Sequence, residues 1–407
     1  MKCRFCNQEN LHEFVDLNNS PASNSYLKNL MEVEHYYPLK VFTCGNCKLV
    51  QIDEVKSYEA IFNDNYAYFS SYSKSWLDHC KSYVERVTER FCLDENTQVV
   101  EIASNDGYLL QYFKEKYVPV IGVEPTANTA KVAEEKGIQT IVEFFTSSQA
   151  QAMKNEGISP KLLLGNNVLA HVPDINDFVK GMKILLRPDG VITMEFPHLC
   201  ELIGNNQFDT IYHEHFSYLS FSFINRLFSS HDLELFDVEE IETHGGSLRI
   251  YAKHASYKEI KVEEAVGDLL LKEKALGVET MSYYHNFQLQ VDQIKLDLLS
   301  FLVQAKKDNK LVAAYGAAAK GNTLLNYCGV KKDLIRFVVD ANPHKQDHFM
   351  PGSHIPIVDK SNLKTYKPDY VLILPWNLVD EITESYSYIK DWGGKFVTAI
   401  PALTILQ

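Results

Sequence analysis

Apolar positions recur at helical spacing through 73–91, SKSWLDHCKSYVERVTERF, and predict an amphipathic helix. Beyond it two periods alternate. Short β runs at 97–102, 118–123, 139–142, 161–164 and 190–196 are interleaved with helical stretches at 107–116, 127–136 and 175–186. Such alternation predicts a doubly wound, mainly parallel sheet. Ser220 reads as the N-cap of a helix running to Ser229, and 234–241 and 247–252 read as two closing strands, which makes a seven-stranded sheet. From 260 to about 309 the pattern is that of a long amphipathic helix, with Leu269, Leu270, Leu276, Ile294, Leu298 and Leu299 among its apolar positions. Strands at 311–315, 335–339 and 370–374 form a further α/β unit, whose first strand runs into a glycine-rich turn at 316–321. The chain is expected to divide into a module at 1–70, a central domain at 71–255 and a helical linker with a third domain at 256–407.

Composition narrows the function. The 407 residues are 45% hydrophobic and 23% charged, as in an ordinary globular protein. Lys plus Arg number 40 against 53 for Asp plus Glu, and the net charge of -13, with no basic stripe, argues against a nucleic-acid partner. No apolar run reaches the roughly 18 residues of a membrane span, and MKCRFCNQEN lacks the apolar core of a signal peptide. A cytoplasmic protein with no membrane partner is expected.

Four of the eight cysteines lie in the first 47 positions: Cys3 and Cys6, then Cys44 and Cys47, with 37 residues between the pairs. Two residues between thiolates let a tight turn aim both sulfurs at one point, and two such knuckles complete a tetrahedral zinc site. With four sulfurs bound no position is open to water or substrate, so this Zn2+ is expected to be structural. Cys80, Cys92, Cys200 and Cys328 are single and read as small buried hydrophobes.

The segment VVEIASNDGYLL runs from strand to helix across Glu101, Ser104, Asn105, Asp106 and Gly107. It resembles the S-adenosylmethionine loop of class I methyltransferases, where small residues let backbone approach the cofactor, although one glycine stands where three are usual. Glu124 follows Glu101 by 23 residues, at the end of the next strand, where a carboxylate takes ribose hydroxyls. At a further strand end come Asn166, Asn167 and His171, facing the crevice in which open α/β sheets bind ligands.

In order along the chain, the CxxC pairs, EIASNDGYLL, NNVLAHVPD, EFPHL, YHEHFSYLS, HGGSLRIY, YGAAAKGNTLLNYC and PGSHIPIVD together resemble the S-adenosylmethionine-dependent C-methyltransferases of nucleotide-linked 4-keto-deoxysugars. The resemblance implies a small N-terminal four-cysteine zinc module, a central class I methyltransferase sheet and a C-terminal Rossmann-like α/β domain. It also implies methylation of C3 of a nucleotide-diphosphate 4-keto-deoxysugar through an enolate. In the pattern YxEH the final histidine, His215, resembles the general base, with Tyr212 and Glu214 orienting it or holding the sugar. His171 carries over as a sugar or enolate contact, and Tyr68, with Tyr66 beside it, as a substrate-binding tyrosine; aromatic packing between domains is the other reading of that pair. His213 points away from His215 in a regular backbone and is left out of the site.

Two more segments are expected near the substrate. His244, Gly246 and Arg249 lie in a close-approach turn that either admits a sugar or phosphate or is a plain hairpin. Lys320 and Asn322, at the opening of a helix, either meet the nucleotide diphosphate or form only a tight connection. A zinc-ribbon methyltransferase acting on RNA, protein or a small-molecule hydroxyl is the competing function.

Overall fold

The computed structural model describes residues 1–55, 58–61 and 69–406. Tyr66 and Tyr68 lie outside the described residues. Among the described residues three sheets organise the fold. The first joins β1 (Leu11–Ser20), β2 (Tyr37–Cys44) and β3 (Val50–Ile52) in antiparallel order.

The second sheet contains β4 (Val99–Ile102), β5 (Val120–Val123), β6 (Thr140–Ile141), β7 (Leu162–Asn166) and β8 (Val191–Pro197), all parallel. Its interior strand β7, LLLGN, is buried at every position because helices cover both faces. A two-residue strand, β9 (Ser217–Tyr218), leaves this domain to pair with β3, so the first sheet runs β1-β2-β3-β9. The segment following His215 is thereby stitched into the N-terminal module. Antiparallel β10 (Leu233–Ile241) and β11 (Ser247–His254) close the second sheet against β8, giving the order β10-β11-β8-β7-β4-β5-β6.

The third sheet runs β14 (Ile357–Val358), β13 (Val338–Val339), β12 (Val312–Tyr315), β15 (Tyr370–Ile373) and β16 (Lys395–Thr398) in parallel, with β17 (Thr404–Leu406) antiparallel at its edge.

Local chemistry explains the predicted helices. Lys74–Arg90 buries Trp76, Cys80, Tyr83, Val84 and Val87 on one stripe, and its N-cap Ser73 accepts from the Trp76 amide at 3.3 Å. Each of its large buried side chains contributes about 1.5–3 kcal/mol. Ser220 caps Phe221–Ser229 as expected, accepting from the Phe223 amide at 3.2 Å. The long helix at 260–309 is instead two helices, Glu264–Leu276 and Phe287–Lys307, because Gly277 turns left-handed at φ 88° and ends the first. Of the single cysteines, Cys80, Cys200 and Cys328 are buried, but Cys92 is exposed just past a helix end.

Candidate active site

Cys3, Cys6, Cys44 and Cys47 converge so that their sulfurs all lie within 4.8 Å of one another, with Cys3 and Cys47 3.4 Å and Cys6 and Cys44 3.6 Å apart. Tetrahedral sulfurs about 2.3 Å from zinc stand roughly 3.8 Å apart, so the four fit one ion. Arg4, inside the first knuckle, donates to the carbonyl of Pro173 at 3.1 Å and lies over the ring of Phe216. The metal module therefore grips the chain just after His171 and just after His215.

A cavity of about 680 Å³ opens beyond the carboxyl ends of the central strands and is walled by all three units. At one end is the loop after β4. The backbone turns left-handed at Ala103 (φ 58°), Asn105 (φ 48°) and Gly107 (φ 74°), so the conformation that glycines usually supply is adopted here largely without them. Non-glycine residues in that region cost about 1–3 kcal/mol and persist where their surroundings hold them. Glu124 does so here. One of its oxygens accepts from the Asn105 amide at 2.9 Å, and the other from the Thr126 amide at 2.9 Å. Burial raises the pKa of Glu124, opposed by the Thr126 hydrogen bonds.

On the cavity wall, Asn166 Nδ2 and Asn167 Oδ1 are buried without hydrogen-bond partners among the described residues, whereas Glu101, Ser104 and Gly107, expected at the cofactor, are not on that wall, the Ser104 side chain packing against Gly122. Glu101 faces the Tyr108 hydroxyl, and no group meets its two oxygens at full hydrogen-bonding geometry. Buried groups of this kind cost free energy unless a ligand meets them. On the wall itself the Asn166 donor and the Asn167 acceptor suit a cofactor carrying both carboxylate and amino groups. Gly107 packs on Ile138, where a β-carbon would come within 2.5 Å, so its freedom serves the turn.

At the other end is YHEH. The Nδ1 of His215 lies 2.8 Å from the Thr210 carbonyl, which accepts its proton and leaves Nε2 as the basic nitrogen. Burial, reinforced by His171, holds the His215 pKa well below the imidazole norm. The Tyr212 ring lies 4.1 Å from the His215 ring, centroid to centroid. His171 donates through Nδ1 to the carbonyl of Glu214 at 2.8 Å, and burial lowers its pKa to about 4. Glu214 accepts from Asn24 at 2.7 Å. His213 faces the other way, toward Tyr37 and the Pro38 carbonyl.

The HGGS turn is divided. His244 lines the cavity at φ 56°, 2.8 Å from the Asn167 amide, with its pKa lowered by burial to about 4. Gly246 is not on the cavity wall; a β-carbon there would meet Glu201 at 2.6 Å, so this glycine admits protein. Arg249 is also off the wall. It is fully buried, ion-paired with Glu195 and Glu239, and stacked over Tyr83. A strand position facing the helix side of the sheet leaves it no route to a ligand. Asn322 is buried in a hydrogen bond to the Ser23 carbonyl and ties the third domain to the N-terminal module. Lys320 does reach the cavity.

Sequence reasoning missed much of the wall: Asn24, Trp76, His79, Phe144, Lys345 and Asn377. The aromatic residues look like core in a pattern. Asn24 sits in the turn PASN, where a polar side chain is ordinary.

Models of known families match three successive stretches: a domain described as zinc binding at 3–62, a methyltransferase domain at 76–238 and a C-methyltransferase C-terminal domain at 242–401. The C-methyltransferase NovU of Streptomyces niveus is 34% identical over 100% of this chain and 97% of its own length. The chain belongs to the S-adenosylmethionine-dependent C-methyltransferase family. A ubiquinone biosynthesis O-methyltransferase of Bartonella tribocorum is 24% identical over 26% of this chain and 48% of its own. A solved S-adenosylmethionine-dependent methyltransferase of Anabaena variabilis is 12% identical, covering 50% of this chain and 99% of its own, with a TM-score of 0.39. Membership in the C-methyltransferase family makes carbon the acceptor atom. Among the described residues no helix is long and apolar enough to cross a membrane.

Proposed function

We propose that this C-methyltransferase adds a methyl group to the carbon beside the ketone, C3, of a nucleotide-diphosphate-linked 4-keto-deoxysugar, with His215 as the general base. The observation that carries the reading is the fixed, neutral imidazole of His215, its Nδ1 proton held by Thr210 and its ring on the wall of the shared cavity. A ketone acidifies the neighbouring C–H, but abstraction still needs a positioned base. His215 Nε2 takes that proton, and the bonding pair moves into the carbon–carbon bond as the carbonyl pair moves onto oxygen. Bound S-adenosylmethionine supplies an electrophilic methyl group.

The chain's remaining work is positioning. Glu124 is the group for the ribose hydroxyls, Asn105, Asn166 and Asn167 frame the remainder of the cofactor, and Glu101, Ser104 and Gly107 shape the loop behind that wall. Tyr212, its ring tilted 35° against that of His215, and His171, whose ring meets that of His215 at 4.6 Å, restrict the base to one orientation. Glu214, oriented by Asn24, is the group for the sugar, and His244 completes the wall. Tyr68 and Tyr66 are assigned to substrate binding by the family resemblance alone. Holding nucleophilic carbon and methyl at reacting distance supplies about 7–11 kcal/mol in favourable cases.

The test is turnover of thymidine- and uridine-diphospho-4-keto-6-deoxysugars with S-adenosylmethionine, read by NMR. A new methyl resonance coupled to the ring carbon beside the ketone is the expected outcome. Methyl on oxygen, or no acceptor among these sugars, overturns the reading.

A further inference from the structure

Lys320 enters the cavity from the first turn of the helix Ala319–Cys328, in the third domain. Its ammonium donates to Asn377 at 2.9 Å and lies 4.5 Å over the ring of Trp376. Burial lowers the Lys320 pKa to about 8, opposed by the charge of Asp209, whose carboxylate accepts from the Trp376 indole at 2.7 Å. Asp209 is the neighbour of Thr210, the residue that holds His215. One short turn, Phe208–Thr210, thus reaches Lys320 through the Trp376 ring that Asp209 holds, and holds the base through its next carbonyl. The same helix grips the segment from the other side, since Thr323 donates to the carbonyl of Ile211 at 2.8 Å. His215 and His244, both lining the cavity, each feel the charge of Lys320.

From this geometry we propose that Lys320 is a catalytic residue that holds the enolate oxygen formed when His215 removes the proton. The proposal rests on the enolate reading above and departs from the sequence expectation that Lys320 meets the diphosphate. When the C–H bond breaks, negative charge develops on the former ketone oxygen. An ammonium already held in place meets that charge without reorganisation. As the new carbon–carbon bond forms the carbonyl returns, the oxygen loses its charge, and the ammonium keeps its proton throughout. The proton taken by His215 leaves to solvent, helped by the same cation.

The test uses the whole chain and two variants, Lys320→Met, which keeps the stem without the charge, and Lys320→Arg, which keeps the charge. The readouts are solvent deuterium exchange beside the ketone of a saturating thymidine-diphospho-4-keto-6-deoxysugar, and calorimetric affinity for S-adenosylmethionine and for thymidine diphosphate alone. In Lys320→Met, exchange is expected to fall about 10²–10³-fold, as for loss of one oxyanion donor. Both affinities stay within about threefold of the parent, less than 1 kcal/mol. Lys320→Arg recovers part of the exchange. Parental exchange in Lys320→Met overturns the proposal, as does a loss confined to thymidine diphosphate affinity, which makes Lys320 a diphosphate ligand. Should Lys320→Met fail to fold, Lys320→Arg decides by the same measures: exchange restored to within tenfold of the parent supports the proposal, and total loss with both affinities intact contradicts it. A parent enzyme that exchanges no deuterium refutes the sugar reading itself, a separate outcome.

Discussion

The rings of His171 and His215 meet edge to face, 4.6 Å between centroids and 70° between planes, each with Nδ1 donated to a backbone carbonyl. Burial dominates both, holding His171 at about 4 and His215 well below the ordinary imidazole value. Neither is protonated at neutral pH. Because a lowered histidine pKa leaves the neutral form populated above that pKa, kcat/KM is expected to hold steady as pH drops through 6.5 and to fall only well below it. A pH–rate profile checks this; an inflection near 6.5 would assign the base to an exposed imidazole.

Glu124 does two jobs at once, since the carboxylate that would take the ribose hydroxyls also receives the amides of Asn105 and Thr126. Replacing it by Ala removes charge-assisted hydrogen bonds worth about 1.5–3 kcal/mol each, and the loss of one such bond to the ribose already weakens S-adenosylmethionine affinity roughly 10- to 150-fold. Calorimetry with S-adenosylhomocysteine gives the number. Unchanged affinity would move the ribose elsewhere.

The zinc module reaches the reaction through Arg4, which bonds Pro173 and covers Phe216. Cys44→Ser should lower bound zinc below one per chain, lower Tm and reduce kcat together, since a metal-site fold is lost with its metal. Metal analysis beside a thermal melt tests the link. Full activity with no zinc would separate the module from the site.

Arg249 discriminates fold from ligand. Burial pushes the Glu195 carboxyl up, but the His79 hydrogen bond and Arg249 outweigh it and hold the pKa at about 2. Arg249→Met strands that buried carboxylate and should destabilise the protein by about 3–5 kcal/mol, with KM for the sugar nearly unchanged in the fraction that folds. Lowered in the fold, Glu195 contributes stability that is present above its unfolded pKa and lost as pH falls from about 4.5 toward 2. Denaturant melts of parent and variant across that window measure it.

The central sheet was legible because strand and helix periods alternate cleanly from Val99 onward, and Ser220 announced its helix by its hydroxyl. The N-terminal sheet was not. Strand β1, LHEFVDLNNS, carries register shifts and polar positions that blur a period of two, and β9 is two residues whose partner, β3, lies far away in sequence. Motif reading brought His215, Tyr212, Glu214, His171, Glu124 and Asn167 to one neighbourhood. It failed for Arg249, Gly246, Glu101, Ser104 and Gly107 because a motif does not say which way a position on a strand or turn faces. Trp76 and Phe144 escaped notice because an aromatic residue on a cavity wall and one in a core have the same pattern.

The most direct measurement is solvent deuterium exchange at the carbon beside the ketone, run with S-adenosylhomocysteine bound so that no methyl transfers, in the parent and in His215→Gln. Exchange in the parent and its loss in the variant, with cofactor affinity retained, is the predicted result. Exchange that continues in His215→Gln would contradict the account, because another group would then be removing the proton.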